Sequence, residues 1–289
     1  MSEQVQGRAT KKVAKARLQT EQVRAPVTDP AGRGLGIFLQ ARMDSSRLPR
    51  KALLPLAGRT VIEHVMTSLR RVSAEVHLLV TDEASYPELE PYAKGCGFLA
   101  FAGPKEDVLA RFALAVGRHP VDRIVRATGD NPLVSIALIE LLLPLHGEAH
   151  ADYSAFAGPP IGTGVEIIET RALFEAAKRS VDPYEREHVC PYLYRRGEVY
   201  RIHRPTAPEY FCLSDASVTL DTEADYRFLD RLYEELYRGD PIDTRRLVEW
   251  LSANTERASS RDEGYTSGKE GTPNTFAAQG AARPNRASR

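Results

Sequence analysis

Cysteine is scarce in this chain. It has three, Cys96, Cys190 and Cys212, an odd number at wide spacing, which argues against a disulfide framework and fits a reducing compartment. Net charge is missing too: 39 lysines and arginines balance 39 aspartates and glutamates. No overall field gathers nucleic acid or an acidic surface, and no nucleic-acid partner is expected. Long apolar runs are also absent. The greasiest, Ile136–Leu145, is too short to span a bilayer and is interrupted by Glu140 and Pro144, and the amino terminus has no apolar stretch of the signal-peptide kind. The expectation is a chain with no membrane span, located in the cytoplasm. Its 289 residues, 42% apolar and 27% charged, suffice for a substantial core in one or two domains.

The ends differ from the middle. Residues 1–33 are polar and basic, with Arg8, Lys11, Lys12, Lys15, Arg17 and Arg24 against Glu3, Glu21 and Asp29; residues 255–289 are rich in Ser, Gly, Asn, Pro and Arg. Neither carries periodic apolar content, so both are expected as disordered tails around one domain at 34–254. Inside that domain strand-like and helix-like segments alternate. Strands are expected at Leu35–Gln40, Val76–Thr81, Arg123–Thr128, Val165–Glu169, Val199–His203 and Ser217–Asp221. Helices are expected at Val61–Val72, Val108–Gly117, Ile136–Leu143, Arg171–Ser180, Tyr184–Arg195, Thr222–Tyr237 and Asp243–Ser252. Continuous apolar strands alternating with helices imply a mainly parallel sheet covered on both faces, and the irregular Tyr153–Glu166 implies a small antiparallel insertion.

In such sheets ligands sit at the carboxyl ends of the strands. The first strand runs out into "ARMDSSRLPRK", residues 41–51, where Arg42, Arg47, Arg50 and Lys51 gather around a single acid, Asp44. Arginines there grip phosphate oxygens bidentately and a lysine adds a point charge, while a solvated charged loop is the plainer alternative. "RATGDNPL" puts Asp130 directly after another strand, and "VTLDTEADY" ends a third at Asp221. Two carboxylates with open positions suit Mg²⁺ together with substrate phosphates. Simple structural roles are open for both, a helix cap for Asp221 and an Asx-turn for Asp130. "GRGLG" at Gly32–Gly36 precedes the strand it would have to follow in a dinucleotide loop, and is set aside.

"QARMDSSRLPRKAL" resembles the opening motif Q-A-R-M-G-S-T-R-L-P-G-K-x-L of the cytidylyltransferases of the spore-coat polysaccharide biosynthesis type, relatives of the CMP-sialate and CMP-KDO synthetases. The resemblance continues in family order through "EDVLARF", "VRATGDNPL", "GVEII", "EREHVCPYL" and "VTLDTEADY", covering about residues 35–253. It implies an α/β fold, a Rossmann-like, GT-A-like three-layer sandwich. It also implies transfer of CMP from CTP, with Mg²⁺, to a small anionic acceptor such as a sugar acid, phosphonate or phosphosugar. By matching positions Arg42, Arg47 and Lys51 would hold the triphosphate. Gln40, Ala41, Met43 and Arg126 would lie along the nucleotide, Asp130 and Asp221 would bind the metal, and Glu166, Glu187 and His188 would face the acceptor, Glu166 as base if one is needed. The segment 184–203 would serve a homodimer, with a plain core role as the alternative.

Three positions depart from the pattern: Asp44 and Arg50 stand where the family has glycines, and Gly164 stands where many relatives have an acid. The departures keep a non-catalytic nucleotide-binding homologue open. A GT-A-type glycosyltransferase is the other alternative, against which stand the triphosphate-shaped first loop and the lack of a D-x-D triplet after a mid-chain strand.

Overall fold

The first apolar run becomes the centre of the sheet. In a computed structural model, which describes residues 34–254, strand β1 is Leu35–Gln40 and every residue in it except Gln40 is buried. The expectations for the two tails lie outside the described residues. In chain order there follow β2 (Pro55–Leu56), β3 (Arg59–Thr60), α1 (Val61–Leu69), β4 (Val76–Asp82), α2 (Tyr86–Gly95) and β5 (Leu99–Gly103). Then come α3 (Val108–Arg118), β6 (Arg123–Thr128), α4 (Ile136–Glu148), β7 (Tyr153–Ser154), β8 (Glu166–Glu169) and α5 (Thr170–Arg179). The last elements are α6 (Pro183–His188), α7 (Pro191–Tyr194), β9 (Ile202–His203), α8 (Glu223–Leu236) and α9 (Thr244–Ala253).

The sheet order is β5-β4-β1-β6-β8-β7-β9. Strands β5, β4, β1 and β6 are parallel; β8 runs antiparallel to β6 and β7. The α/β architecture is therefore as expected; the segment 153–166 supplies β7, which pairs antiparallel with β8, and β2 and β3 form a separate small hairpin. Continuous strands are explained by two covered faces. Ile37 and Leu39 join one core with Ile62, Met66, Leu89 and Leu142 of α1, α2 and α4. Phe38, between them, joins another with Phe112 of α3, Leu173 of α5 and Leu193 of α7. On α3 alone, Leu109, Phe112 and Ala115 are fully buried, and each large side chain contributes about 1.5–3 kcal/mol. A third core under the carboxyl edge packs Leu48, Leu133 and Leu220 against Phe228, Leu232 and Leu251 of α8 and α9.

Several segments depart from the sequence reading. Ser217–Asp221 is extended but pairs only through an isolated bridge, Ile161 with Ser217, because no strand runs beside its remaining residues. Only Ile202 and His203 of Val199–His203 form a strand. The helix expected over 184–195 is two short ones, since the chain turns sharply at Val189 and restarts at Pro191, a residue suited to a helix's first turn but not to its interior. Helix α2 and strand β5 were not anticipated. Tyr192, a candidate dimer contact, is buried within the chain, which supports the core role.

The insertion is fixed to the parallel sheet by a buried ionic cluster. Arg123 of β6 and Glu169 of β8 are register partners, and the Arg123 guanidinium, 1% exposed, donates to Glu169 Oε1 at 2.7 Å. His146 of α4 lies 3.1 Å from the same oxygen and 2.7 Å from Ser154 Oγ of β7. Burial alone would raise the Glu169 pKa; hydrogen bonds from His146 and Arg123 and the charge of Arg123 outweigh it and bring it down to about 2. A carboxyl held lower in the folded than in the unfolded chain adds stability above its unfolded value of about 4.3, and that stability is lost as pH falls towards 2. We predict that Glu169 contributes about 3 kcal/mol to acid-dependent unfolding between pH 5 and 2. Glu169→Gln should cost roughly 3–5 kcal/mol at pH 7, because Arg123 stays buried without its counter-charge, and should flatten the urea-midpoint profile across that window. An unchanged profile would show that the cluster does not drive acid unfolding.

Candidate active site

The chain passes from β1 to β4 and β5 on one side and then back to β6 on the other, so the connections leaving the paired neighbours β1 and β6 part in opposite directions and leave a crevice at the strands' carboxyl ends. Gly129 lets the two ends close up: its N–H donates to Gln40 O at 2.8 Å, and a Cβ on it would sit 2.9 Å from the Ala41 Cβ. From Ala41 the chain enters the cationic loop. Apolar residues hold this loop from beneath, with Met43, Leu48 and Ala52 buried. Met43 N–H donates to Ser85 Oγ, itself bonded to Asp82 at the end of β4. Arg50 N–H closes the loop on Met43 O at 3.2 Å.

Arg50 has φ 59° and ψ 24°, the left-handed conformation that favours glycine, so its place in the motif is explained by backbone demand. The strain of about 1–2 kcal/mol is partly offset by an ion pair with Glu88 of α2 at 2.5 Å. Asp44, the second departure, does not face the cleft unbalanced: Lys105 Nζ lies 2.5 Å from one oxygen and Arg42 Nε 3.8 Å from the other. Gly164 is open, and a Cβ there would meet nothing within 4 Å.

At the centre lies Lys51. Its Nζ donates to Asp130 Oδ2 at 2.8 Å, to Asp221 Oδ1 at 2.8 Å and to Leu220 O at 2.9 Å. Arg47 also reaches Asp221 Oδ1, at 3.2 Å. The simpler roles for the two acids fall away. Thr222, not Asp221, caps α8, in a reciprocal box with Asp225. The turn at Asp130 is closed by Asn131, whose Nδ2 donates to Thr128 Oγ1 at 2.8 Å.

Helix α6 forms the opposite wall, and its motif divides by direction. Glu185 is buried and takes hydrogen bonds from Ser180 and Arg196. Arg186 binds Asp107, the cap of α3. Glu187 and His188 face the cleft. The turn after them is held at φ 71°, ψ −62° by Val189, with Cys190 N–H donating to His188 O at 2.9 Å. This is the rare positive-φ γ-turn, costly for a β-branched residue. It persists because Val189 and Cys190 are buried on the core side, and it fixes where His188 points.

The resulting cavity of about 340 Å³ is lined by Gln40, Ala41, Arg42, Arg47, Lys51, Asp130, Glu187, His188 and Asp221 among others. Met43, Arg126 and Glu166, expected with them, are not on its wall. Met43 lies under the loop. Arg126 of β6 is register partner to Glu166 of β8, forms an ion pair with it, and donates its other nitrogen to Gln40 Oε1 at 2.7 Å. Tyr153 O–H donates to the second Glu166 oxygen at 2.8 Å. Burial first and that carboxylate second push the Tyr153 and Cys190 pKa values well up, so both keep their protons at neutral pH. Ser45, Ser46 and Thr128 line the cavity and were missed. The run of hydroxyls in the loop was the signal for the first two. For Lys105 there was none, because its contact with Asp44 is purely tertiary.

His188 is held below its usual pKa. Burial is the main cause, the charges of Arg126 and Arg42 add to it, and Glu187 opposes it. We predict an NMR titration of His188 with a midpoint below 6.5. Glu187→Gln should move it lower and Arg42→Ala higher; shifts of the opposite sign would overturn this account of the wall.

A family described as Cytidylyltransferase matches residues 37–237. The spore coat polysaccharide biosynthesis protein SpsF of Bacillus subtilis is 27% identical over 232 residues, covering 78% of this chain and 97% of its own. The 3-deoxy-manno-octulosonate cytidylyltransferase of Escherichia coli is 28% identical over 177 residues, 55% of this chain and 72% of its own. Among solved structures, a cytidylyltransferase from Leptospira borgpetersenii superposes with a TM-score of 0.70 at 26% identity, covering 78% of this chain and 97% of that one.

Proposed function

The chain belongs to the cytidylyltransferase family, and from that premise we propose that it uses Mg²⁺ to transfer CMP from CTP to a small anionic acceptor, a sugar acid, phosphonate or phosphosugar, releasing pyrophosphate. As a family member it is a nucleotidyltransferase, and among its described residues no helix is long and apolar enough to cross a membrane. The observation that carries the fuller reading is the convergence of Lys51, Asp130 and Asp221 at the crevice between β1 and β6, with Arg42 and Arg47 beside it. A family relative whose name specifies a sugar acid supports the acceptor class.

The residues fit the metal. Two carboxylate oxygens and the Leu220 carbonyl surround a single cation at 2.8–2.9 Å. This all-oxygen set suits a hard ion that takes one or two carboxylates and fills its shell with water and phosphate oxygens. Asp130 and Asp221 would hold Mg²⁺, which when bound neutralises charge on the phosphates and orients them. An acceptor oxygen attacks the α-phosphorus, the new P–O bond forms, and the bond to the β-phosphate oxygen breaks with its electron pair leaving on pyrophosphate. Negative charge grows on the phosphate oxygens, and Arg42, Arg47 and Lys51 are the cations that the loop brings to the cleft to meet it. Gln40, oriented by Arg126 and through it by Glu166, lies against the nucleoside. Glu187 and His188 face the acceptor. If the nucleophile is a carboxylate or phosphonate oxyanion, no base is required, consistent with a Glu166 already engaged on both oxygens.

Incubation with CTP, Mg²⁺ and a panel of sugar acids, phosphonates and phosphosugars is expected to release pyrophosphate with one acceptor class. Lys51→Met, Asp130→Asn and Asp221→Asn should each lower kcat by about 10²–10³ while circular dichroism shows the fold retained. Preference for another nucleotide, or full activity in all three variants, would sink the reading.

A further inference from the structure

An ammonium has three N–H donors, and Lys51 spends all three: on Asp130, on Asp221 and on the Leu220 carbonyl. None is left for a phosphate. One oxygen of each acid is engaged as well: Asp130 Oδ2 accepts from Lys51, and Asp221 Oδ1 accepts from Lys51 with Arg47 in ion-pair contact at 3.2 Å. Two carboxylates therefore face two cations, and the ammonium stands between the very oxygens that would hold the metal. A divalent ion and an ammonium cannot share that position, because like charges at contact distance repel strongly.

Resting on the function proposed above, we propose that Lys51 is a resident cation that closes the metal position until nucleotide arrives. The triphosphate draws the Nζ atom off the acidic pair, and Asp130 and Asp221 then accept the divalent ion. The local structure is built for such an exchange. The backbone of Lys51 is anchored by the Arg50 closure on Met43 and the Arg50–Glu88 ion pair, whereas its flexible four-carbon stem lets the ammonium swing without moving the chain. Arg47, with its side chain 66% exposed, can follow the same phosphates. Metal and nucleotide binding are then coupled, and the coupling is reciprocal: each raises the affinity for the other by the same factor.

The test is Mn²⁺ binding followed by electron paramagnetic resonance, which reads the metal without turnover. Without nucleotide, wild-type protein should bind Mn²⁺ weakly, and Lys51→Met, checked for fold by circular dichroism, should bind it about 5- to 150-fold more tightly, the usual range of a coupling between sites. Lys51→Arg keeps the cation and should stay weak. Asp221→Asn in the Lys51→Met background should lose the gain. With α,β-methylene-CTP, wild-type protein should tighten by a similar factor beyond what the nucleotide binds alone, an arm that needs no variant. Equal Mn²⁺ affinity in wild type and Lys51→Met without nucleotide, or in wild type with and without the analogue when the analogue is bound, would overturn the proposal. Calorimetry of the analogue separates the two questions. Failure to bind it in any form would defeat the cytidylyltransferase reading, while the nucleotide-free comparison of Lys51 variants would still decide the role of the ammonium.

Discussion

One ammonium joins three parts of the chain. Lys51 leaves the loop after the central strand and meets Asp130 at the end of β6, 79 residues on, and Asp221 ahead of α8, 170 residues on. Without it, two carboxylates would face each other where the connections from neighbouring strands part and dielectric screening is reduced. The backbone reinforces this meeting, because Leu220 N–H donates to Asp130 O at 2.9 Å while its carbonyl turns to Lys51. The third hydrophobic core lies under the same point: Leu48, Leu133 and Leu220 come from the three segments the lysine ties together. Apolar packing brings the segments close, and the charge sets their register.

Much of this was legible in the sequence because its signals are local. A continuous apolar run marked β1, periodic Leu109, Phe112 and Val116 marked α3, and acids directly after apolar runs marked the carboxyl edge. What was not legible depends on partners distant along the chain. Ser217–Asp221 has strand-like composition, yet whether it pairs is decided by a neighbour that its own residues do not specify. Leu99–Gly103 is a short edge strand of mixed burial, with too weak a pattern to stand out. Glu166 was expected to face the acceptor; the antiparallel register of β6 and β8 gives it to Arg126, and register across strands is not encoded in either strand alone. The break at Val189 was hidden as well, because nothing about a valine announces positive φ.

The departures from the family motif read differently once their neighbours are known. An acid inside a phosphate loop should repel a triphosphate, but Asp44 is countered by Lys105 from the loop before α3 and, at longer range, by Arg42. The pair pins the outer side of the loop to a second element. Arg50 keeps the left-handed backbone of the glycine it replaces and adds a tie to α2. Both substitutions exchange backbone freedom for ion pairs that hold the loop down. They leave Arg42, Arg47 and Lys51 on the cleft wall, so neither of these two departures favours a non-catalytic homologue.

The two halves of the cleft are built on different physical terms. The side proposed to handle phosphate sits on β1 and β6, rigid parallel strands whose ends are fixed to within one hydrogen bond by Gly129 and Gln40. Charge neutralisation there must be positioned closely, since its effect falls off with distance and misalignment. The opposite wall is a six-residue helix in which Glu185 and Arg186 are spent on ties to Arg196 and to Asp107, the cap of α3, while Glu187 and His188 face the cleft. A strained turn that Val189 maintains by burial sets their direction. A wall held this way can change its cleft-facing pair without disturbing the sheet, because the anchoring side chains are different ones. On the proposed function, that separation would let one phosphate-handling frame take different acceptors: substitutions at 187 and 188 would change what is recognised, and substitutions at 185 and 186 would change whether the wall stands at all.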